Sequence, residues 1–267
     1  MQRAERPGWG LLRHHQRHSN LLTVGAVRAF LRAGIVLAGL IYQTAATAGA
    51  FLIAPVRIPL SAHERTAVLT VRNDSAEASV MQLETVSWSQ TEGEDRYAPT
   101  REILATPPIF TVPPGGSQIV RVGLLRPPDS RRELAYRIFL QEVPTETRKE
   151  GEVRVALRFG IPVFVAPAGQ APKPLLAWRA VATELELGLL RIEAINRGDV
   201  HVQIAGFSLS SADGAIVARQ NEMKYLLPGQ GHHWMVKPNQ ALPSGVKLKI
   251  VARTDAGEIQ TEVLPER

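Results

Sequence analysis

The 267 residues contain no cysteine. That excludes disulfides, a thiol nucleophile, a redox pair and cysteine-ligated zinc. The 217 residues beyond residue 50 can bury a sufficient core without cross-links. A helical period is missing too, since no stretch beyond residue 50 keeps apolar residues at three- and four-residue spacing. No apolar run approaches the ~20 residues of a membrane-spanning helix. Excess charge is confined to the start. The chain holds 31 basic and 25 acidic residues, but residues 1–50 take six arginines and one glutamate, leaving 25 basic against 24 acidic. A near-neutral remainder gives no support for nucleic-acid binding. Catalytic signatures are missing as well: there is no Gly-x-Ser-x-Gly elbow, no His-Glu-x-x-His and no phosphate-binding glycine loop. The expectation is a non-enzyme with no cofactor and no metal site.

Histidine and acid clusters do not change that reading. His14, His15 and His18 fall in the basic leader, and His232 and His233 are strand neighbours that point to opposite faces. Glu92, Glu94 and Asp95 share one short acidic stretch without EF-hand spacing, read here as a solvated loop.

What is present begins with that leader. Arg3, Arg6, Arg13, Arg17, Arg28 and Arg32 precede an apolar run at residues 33–42 and small residues at 44–50. This order predicts a secretory signal peptide over residues 1–50, cleaved near 48–50, and hence export to the periplasm.

From residue 51 onward the chain alternates. Residues 51–60, 65–73, 79–88, 103–124 and 134–144 read as strands, separated by Asn73-Asp74-Ser75, the pairs Pro107-Pro108 and Pro113-Pro114, and Gly115-Gly116. The strongest signal is residues 152–165, EVRVALRFGIPVFV. Val153, Val155, Leu157, Phe159, Ile161, Val163 and Val165 occupy every odd position, so one long strand carries one unbroken apolar face. A Pro/Gly/Ala-rich segment follows, and seven more short strands come after it with turns at Asn196-Arg197-Gly198, Asp213-Gly214, Pro228-Gly229 and Asp255-Ala256-Gly257. The pattern predicts an all-β protein of two immunoglobulin-like sandwiches, residues 51–167 and 175–267, joined by a linker at 168–174.

Several stretches of the first domain, APVRIPL, VRNDSAEASVMQLETVSW, LATPPIFTVPPGGSQIVRV, YRIFLQEVP and VALRFGIPVFVAP, resemble the PapD-like periplasmic chaperones of the chaperone-usher pathway. AINRGDVHVQI and YLLPGQGHHW extend the likeness loosely into the second domain. The resemblance implies two sandwiches in an L-shaped arrangement and a chaperone that lends its long strand to pilin or spore-coat-like subunits before an outer-membrane usher takes them. It implies Val153, Val155, Leu157 and Phe159 as donor side chains, and a pair of basic residues that anchors the subunit's C-terminal carboxylate. Arg57 matches the first of the pair. The second is a lysine in the family, where this chain has Pro162, and Arg158 is the nearest substitute.

Ala166 stands where the family has a basic residue, so an interdomain bridge through Glu142 is not expected, and other contacts must hold the domains. A self-capping homodimer through the exposed strand is a further expectation. A cis Thr106–Pro107 bond is expected as well. The competing class is a structural or adhesive two-domain sandwich without chaperone activity.

Overall fold

Alternating side chains become strands throughout, and no helix occurs among the described residues. The computed structural model describes residues 51–144, 155–169, 173–182, 188–240, 242 and 245–266, which all lie in one compact unit. The leader, Val153 and part of the linker lie outside the described residues.

The first sandwich contains β1 (Phe51–Ala54), β2 (Ile58–Leu60), β3 (Thr66–Asn73), β4 (Ser79–Thr91) and β5 (Glu94–Pro99). It continues with β6 (Ile103–Thr106), β7 (Ile109–Val112), β8 (Ser117–Leu124), β9 (Leu134–Val143) and β10 (Arg158–Val165). One sheet runs β1-β3-β8-β6; the other runs β2-β10-β9-β4-β5, with β7 also on β4. Prolines mark where the chain changes sheet: Pro55 between β1 and β2, and Pro107-Pro108 between β6 and β7. A residue without an N–H suits such a break in the ladder. The Ala54–Pro55 and Thr106–Pro107 bonds are both cis, the second as the sequence predicts.

The second sandwich contains β11 (Leu176–Ala182), β12 (Leu190–Asn196), β13 (Val202–Ser210) and β14 (Ile216–Gln220). It ends with β15 (Lys224–Leu226), β16 (Gly231–Val236), β17 (Leu248–Thr254) and β18 (Gly257–Val263). Its sheets are β11-β12-β16 and β14-β13-β17-β18, with β15 on β13. Each domain has its own core, around Leu69, Ile138 and Val163 in the first and Ile192, Ile204 and Ile250 in the second.

Both domains use one device at a turn. Asn73 and Asn196 are completely buried, and their amides donate to Glu77 and Val112 in one case and to Val200 and Leu226 in the other. Such bonding is what lets a turn asparagine enter a core.

The acidic stretch after Trp88 departs from expectation. It is not a solvated loop: Thr91 pairs with Glu94 across a two-residue turn, and β5 continues the sheet through Tyr97 opposite Trp88. Glu92 and Gly93 both have positive φ, 54° and 80°, the geometry of a tight hairpin turn that matches strand twist. Charge decided the sequence reading, whereas pairing with β4 decides the structure.

Candidate functional site

β10 is divided along its length. Residues 163–165 are flanked on both sides, by β9 and by the parallel β2. Residues 158–162 pair with β9 alone, so among the described residues their other edge is open. An open edge is a row of unpaired backbone donors and acceptors, a template for another strand. The sequence-predicted strand shortens at its start: Val155–Leu157 are not in β10, although the Glu142 amide still donates to the Leu157 carbonyl at 2.9 Å.

The predicted donor side chains fall in three environments. Val155 is 76% exposed. Leu157 is half-buried. Phe159 packs on the home core with its ring against Phe51, centroids 6.1 Å apart. Val153 lies outside the described residues.

Beside this edge the outer face of the sheet meets the second domain. Trp88, Phe164 and Leu227 form a small buried cluster with Ala135 and Tyr225. Gln90 acts like a piece of backbone there, donating to the Tyr225 carbonyl at 2.8 Å and accepting from the Leu227 amide at 2.9 Å. The Glu133 amide donates to the Asp199 carbonyl at 2.9 Å. Glu142, by contrast, stays at home, accepting from the Ser79 hydroxyl at 2.9 Å. These are the other contacts that the sequence demands once Ala166 removes the basic partner.

Arg57 is drawn into a charged chain across the domains. Its Nη1 reaches Asp255 Oδ2 at 2.6 Å and lies 3.3 Å from His201 Nε2. His201 Nδ1 contacts Glu133 Oε2 at 2.7 Å, and the imidazole stacks on Phe164 at 3.5 Å. Burial pushes the Asp255 carboxyl up, but hydrogen bonds from His201, the Gln203 amide and Arg57 outweigh it and hold it well below the usual carboxylate range. Burial pushes His201 down, and its bonds with Asp255 and Glu133 reverse that, so it titrates above the ordinary histidine value.

Arg158 belongs elsewhere. It lies over the Phe139 ring at 4.0 Å and meets Glu84 at 3.3 Å, both near the open end of β10. Four strand residues, about 13 Å, separate it from Pro162. The two predicted anchors are therefore not brought together.

A cleft of about 490 Å³ opens between the domains, bordered by Val56, Arg137, Gly160, Pro162, Gln203 and Tyr225 among others. Arg137 of β9 is registered directly on Pro162, and its guanidinium lies 4.0 Å from the Trp88 ring centroid. No three-residue cluster of histidines or acids able to hold a metal occurs among the described residues.

Residues 50–171 match the family described as pili and flagellar-assembly chaperone, PapD N-terminal domain. The chaperone protein PapD of Escherichia coli is 26% identical over 120 residues, 43% of this chain and 48% of its own length. The chain thus spans about half the length of the curated relative it matches. Among solved structures, a chain of the Acinetobacter baumannii CsuC–CsuE chaperone–tip adhesion subunit pre-assembly complex superposes with a TM-score of 0.60 at 20% identity, covering 82% of this chain and 100% of its own. A chain of the Salmonella enterica SafA pilin–SafB chaperone complex gives 0.55 at 15% identity, covering 82% and 98%. At these identities the likeness is one of fold, and it extends over both sandwiches.

Sequence reasoning missed Asp255, His201, Glu133, Gln90 and Arg137. Asp255 looked like a turn residue and Gln90 like the edge of a loop. Only Arg137 left a local trace, as a basic residue in YRIFL amid apolar neighbours.

Proposed function

We propose that this protein is a periplasmic chaperone that stabilises pilin-like subunits by lending them a strand and passes them to an outer-membrane usher. The observation that carries the reading is the open edge of β10 at residues 158–162, continued by the exposed Val155 and half-exposed Leu157. The family match over residues 50–171 and the fold shared with chains from chaperone–subunit complexes support it.

A subunit missing a strand gains main-chain hydrogen bonds along that edge. Val153, Val155 and Leu157 fill alternate pockets in its groove, each worth about 1.5–3 kcal/mol on full burial before ordering costs. Phe159, packed on Phe51, marks where donation gives way to the home core. A slip of one residue would turn Arg154 or Arg158 into the groove, so register is fixed by the two-residue period. Basic residues hold the subunit's C-terminal carboxylate at the cleft, and Arg57 and Arg158 are the two that the family resemblance offers. The leader at residues 1–50 directs export. Uncovered, the same edge pairs two copies of the chain into a self-capped dimer.

The test is periplasmic co-expression with each small secreted β-protein encoded beside this gene, purified through a tag on this chain. Wild type is expected to hold one subunit in a one-to-one complex, Leu157→Glu to hold none, and Arg57→Ala to hold less. Failure of wild type to retain any of them would sink the reading in favour of a structural or adhesive sandwich.

A further inference from the structure

Arg57, the arginine expected to bind the carboxylate, is already engaged. Its Nη1 is committed to Asp255 at 2.6 Å, and Val56 rather than Arg57 borders the cleft. Arg158 points its charge at Glu84 and the Phe139 ring instead. The cleft does contain two cations, Arg137 and Lys224, and Lys224 is already paired with Glu222 at 3.0 Å. Resting on the chaperone reading above, we infer that Arg137 grips the C-terminal carboxylate of the bound strand, in the place across from Pro162.

Four observations converge on it. Arg137 is paired with Pro162 across β9 and β10, while Arg57 sits on the other side of Pro162, just ahead of the Ile58–Val163 pair. The two arginines therefore flank Pro162 on one sheet face, about 10 Å apart at two strand spacings. Second, Pro162 has no N–H and a short ring, so it leaves the face between them uncluttered.

Third, Gly160 leaves room for the guanidinium. A Cβ at that position would lie 3.2 Å from Arg137 Cδ and 3.6 Å from its Nη1. Fourth, Arg137 is positioned by contacts that leave its Nε without a partner. It stacks on Trp88 at 4.0 Å and approaches the Tyr97 ring at 5.5 Å, and its Nε is buried without a hydrogen-bond partner. Two carboxylates border the cleft, Glu94 and Asp95, and Asp95 is occupied by the Gln90 amide and the Tyr97 hydroxyl, each at 2.9 Å. A buried donor without a partner is costly, and a carboxylate entering the cleft would relieve that cost.

The deciding measurement is titration calorimetry with a short synthetic strand alternating valine with threonine, carrying N-terminal lysines for solubility. It is made with a free C-terminal carboxylate and as the C-terminal amide. Wild type should prefer the carboxylate by about tenfold or more. Arg137→Gln should erase that preference without weakening the amide peptide, and Arg137→Lys should keep part of it. Thermal unfolding checks that each variant is folded.

Gly160→Val keeps every charge while crowding the guanidinium, and it should also lower the preference; with Arg137→Lys it decides the matter should Arg137→Gln not fold. Retention of the full wild-type preference in the Arg137 and Gly160 variants overturns the inference. Equal binding of both peptides by wild type overturns it too, while leaving strand donation standing. Wild type that binds neither peptide removes strand donation, and the inference falls with it.

Discussion

The two halves of β10 carry the same alternation and have opposite fates. In residues 163–165 the strand has partners on both edges, and both its faces are buried: Val163 and Val165 in the first core, Phe164 under the second domain. In residues 158–162 it has one partner, and just before it Val155 is exposed. The difference is made by β2, which is only three residues long and stops covering the edge at Ile58. Apolar alternation therefore reports which face a side chain takes and nothing about how many strands lie alongside.

The largest effect should separate the halves by stability. Val163→Asp puts an unpaired carboxylate into the first core and should cost on the order of 4 kcal/mol in urea unfolding. Leu157→Glu should shift the same curve by no more than about 1 kcal/mol, yet abolish subunit capture. Similar losses in both would mean that the open half is an ordinary core strand, and the distinction would collapse.

A middle-sized effect comes from what covers the closed half. Gln90 ties β4 to Tyr225 and Leu227, over the Trp88–Phe164 cluster. Gln90→Ala strands a buried carbonyl and a buried amide, a cost of about 1–3 kcal/mol. Hydrogen exchange should show the Leu227 amide losing protection while Ile250 in the second core keeps its own. Unchanged protection at Leu227 would show that the apolar cluster alone joins the domains.

These elements differ in how far the sequence disclosed them. Strand identity was legible almost everywhere, because period two is written locally in residues such as Val80 to Trp88 or Leu248 to Thr254. Of the long strand expected over residues 152–165, the part at Arg158–Val165 forms β10, and Val155–Leu157 are not in it. β5 was not, since six exposed residues with an acidic start carry no apolar face and form a strand only because β4 overhangs them. The charged chain was the least legible. Arg57 and Asp255 are separated by 198 positions, and His201 and Glu133 by 68, and each looks like a surface residue until two sandwiches meet. Arg137 was hidden in another way, because its role follows from register against Pro162 rather than from any motif of its own.

The smallest effect concerns His201, which caps the closed half by stacking on Phe164 and bridging Asp255 and Glu133. Its folded-state pKa is raised, with burial opposing and the two carboxylates prevailing. A raised value means that its stabilisation is complete below the unfolded histidine value of about 6.5 and is lost as pH rises through the folded one. Asp255 has the opposite sign: its depressed pKa adds stability above the usual carboxylate value of about 3.9, lost as pH falls through the folded one. The junction is thus tightest in the mildly acidic window between those values. When His201 is neutral with Nδ1 donating to Glu133, Nε2 turns from a donor to Asp255 into an acceptor for Arg57, 3.3 Å away. Urea midpoints of wild type should fall as pH is raised from about 6.5, and His201→Gln should flatten that slope while leaving the acid limb due to Asp255. A slope that survives in His201→Gln would assign the pH dependence to another group and leave the closed half of β10 capped by packing alone.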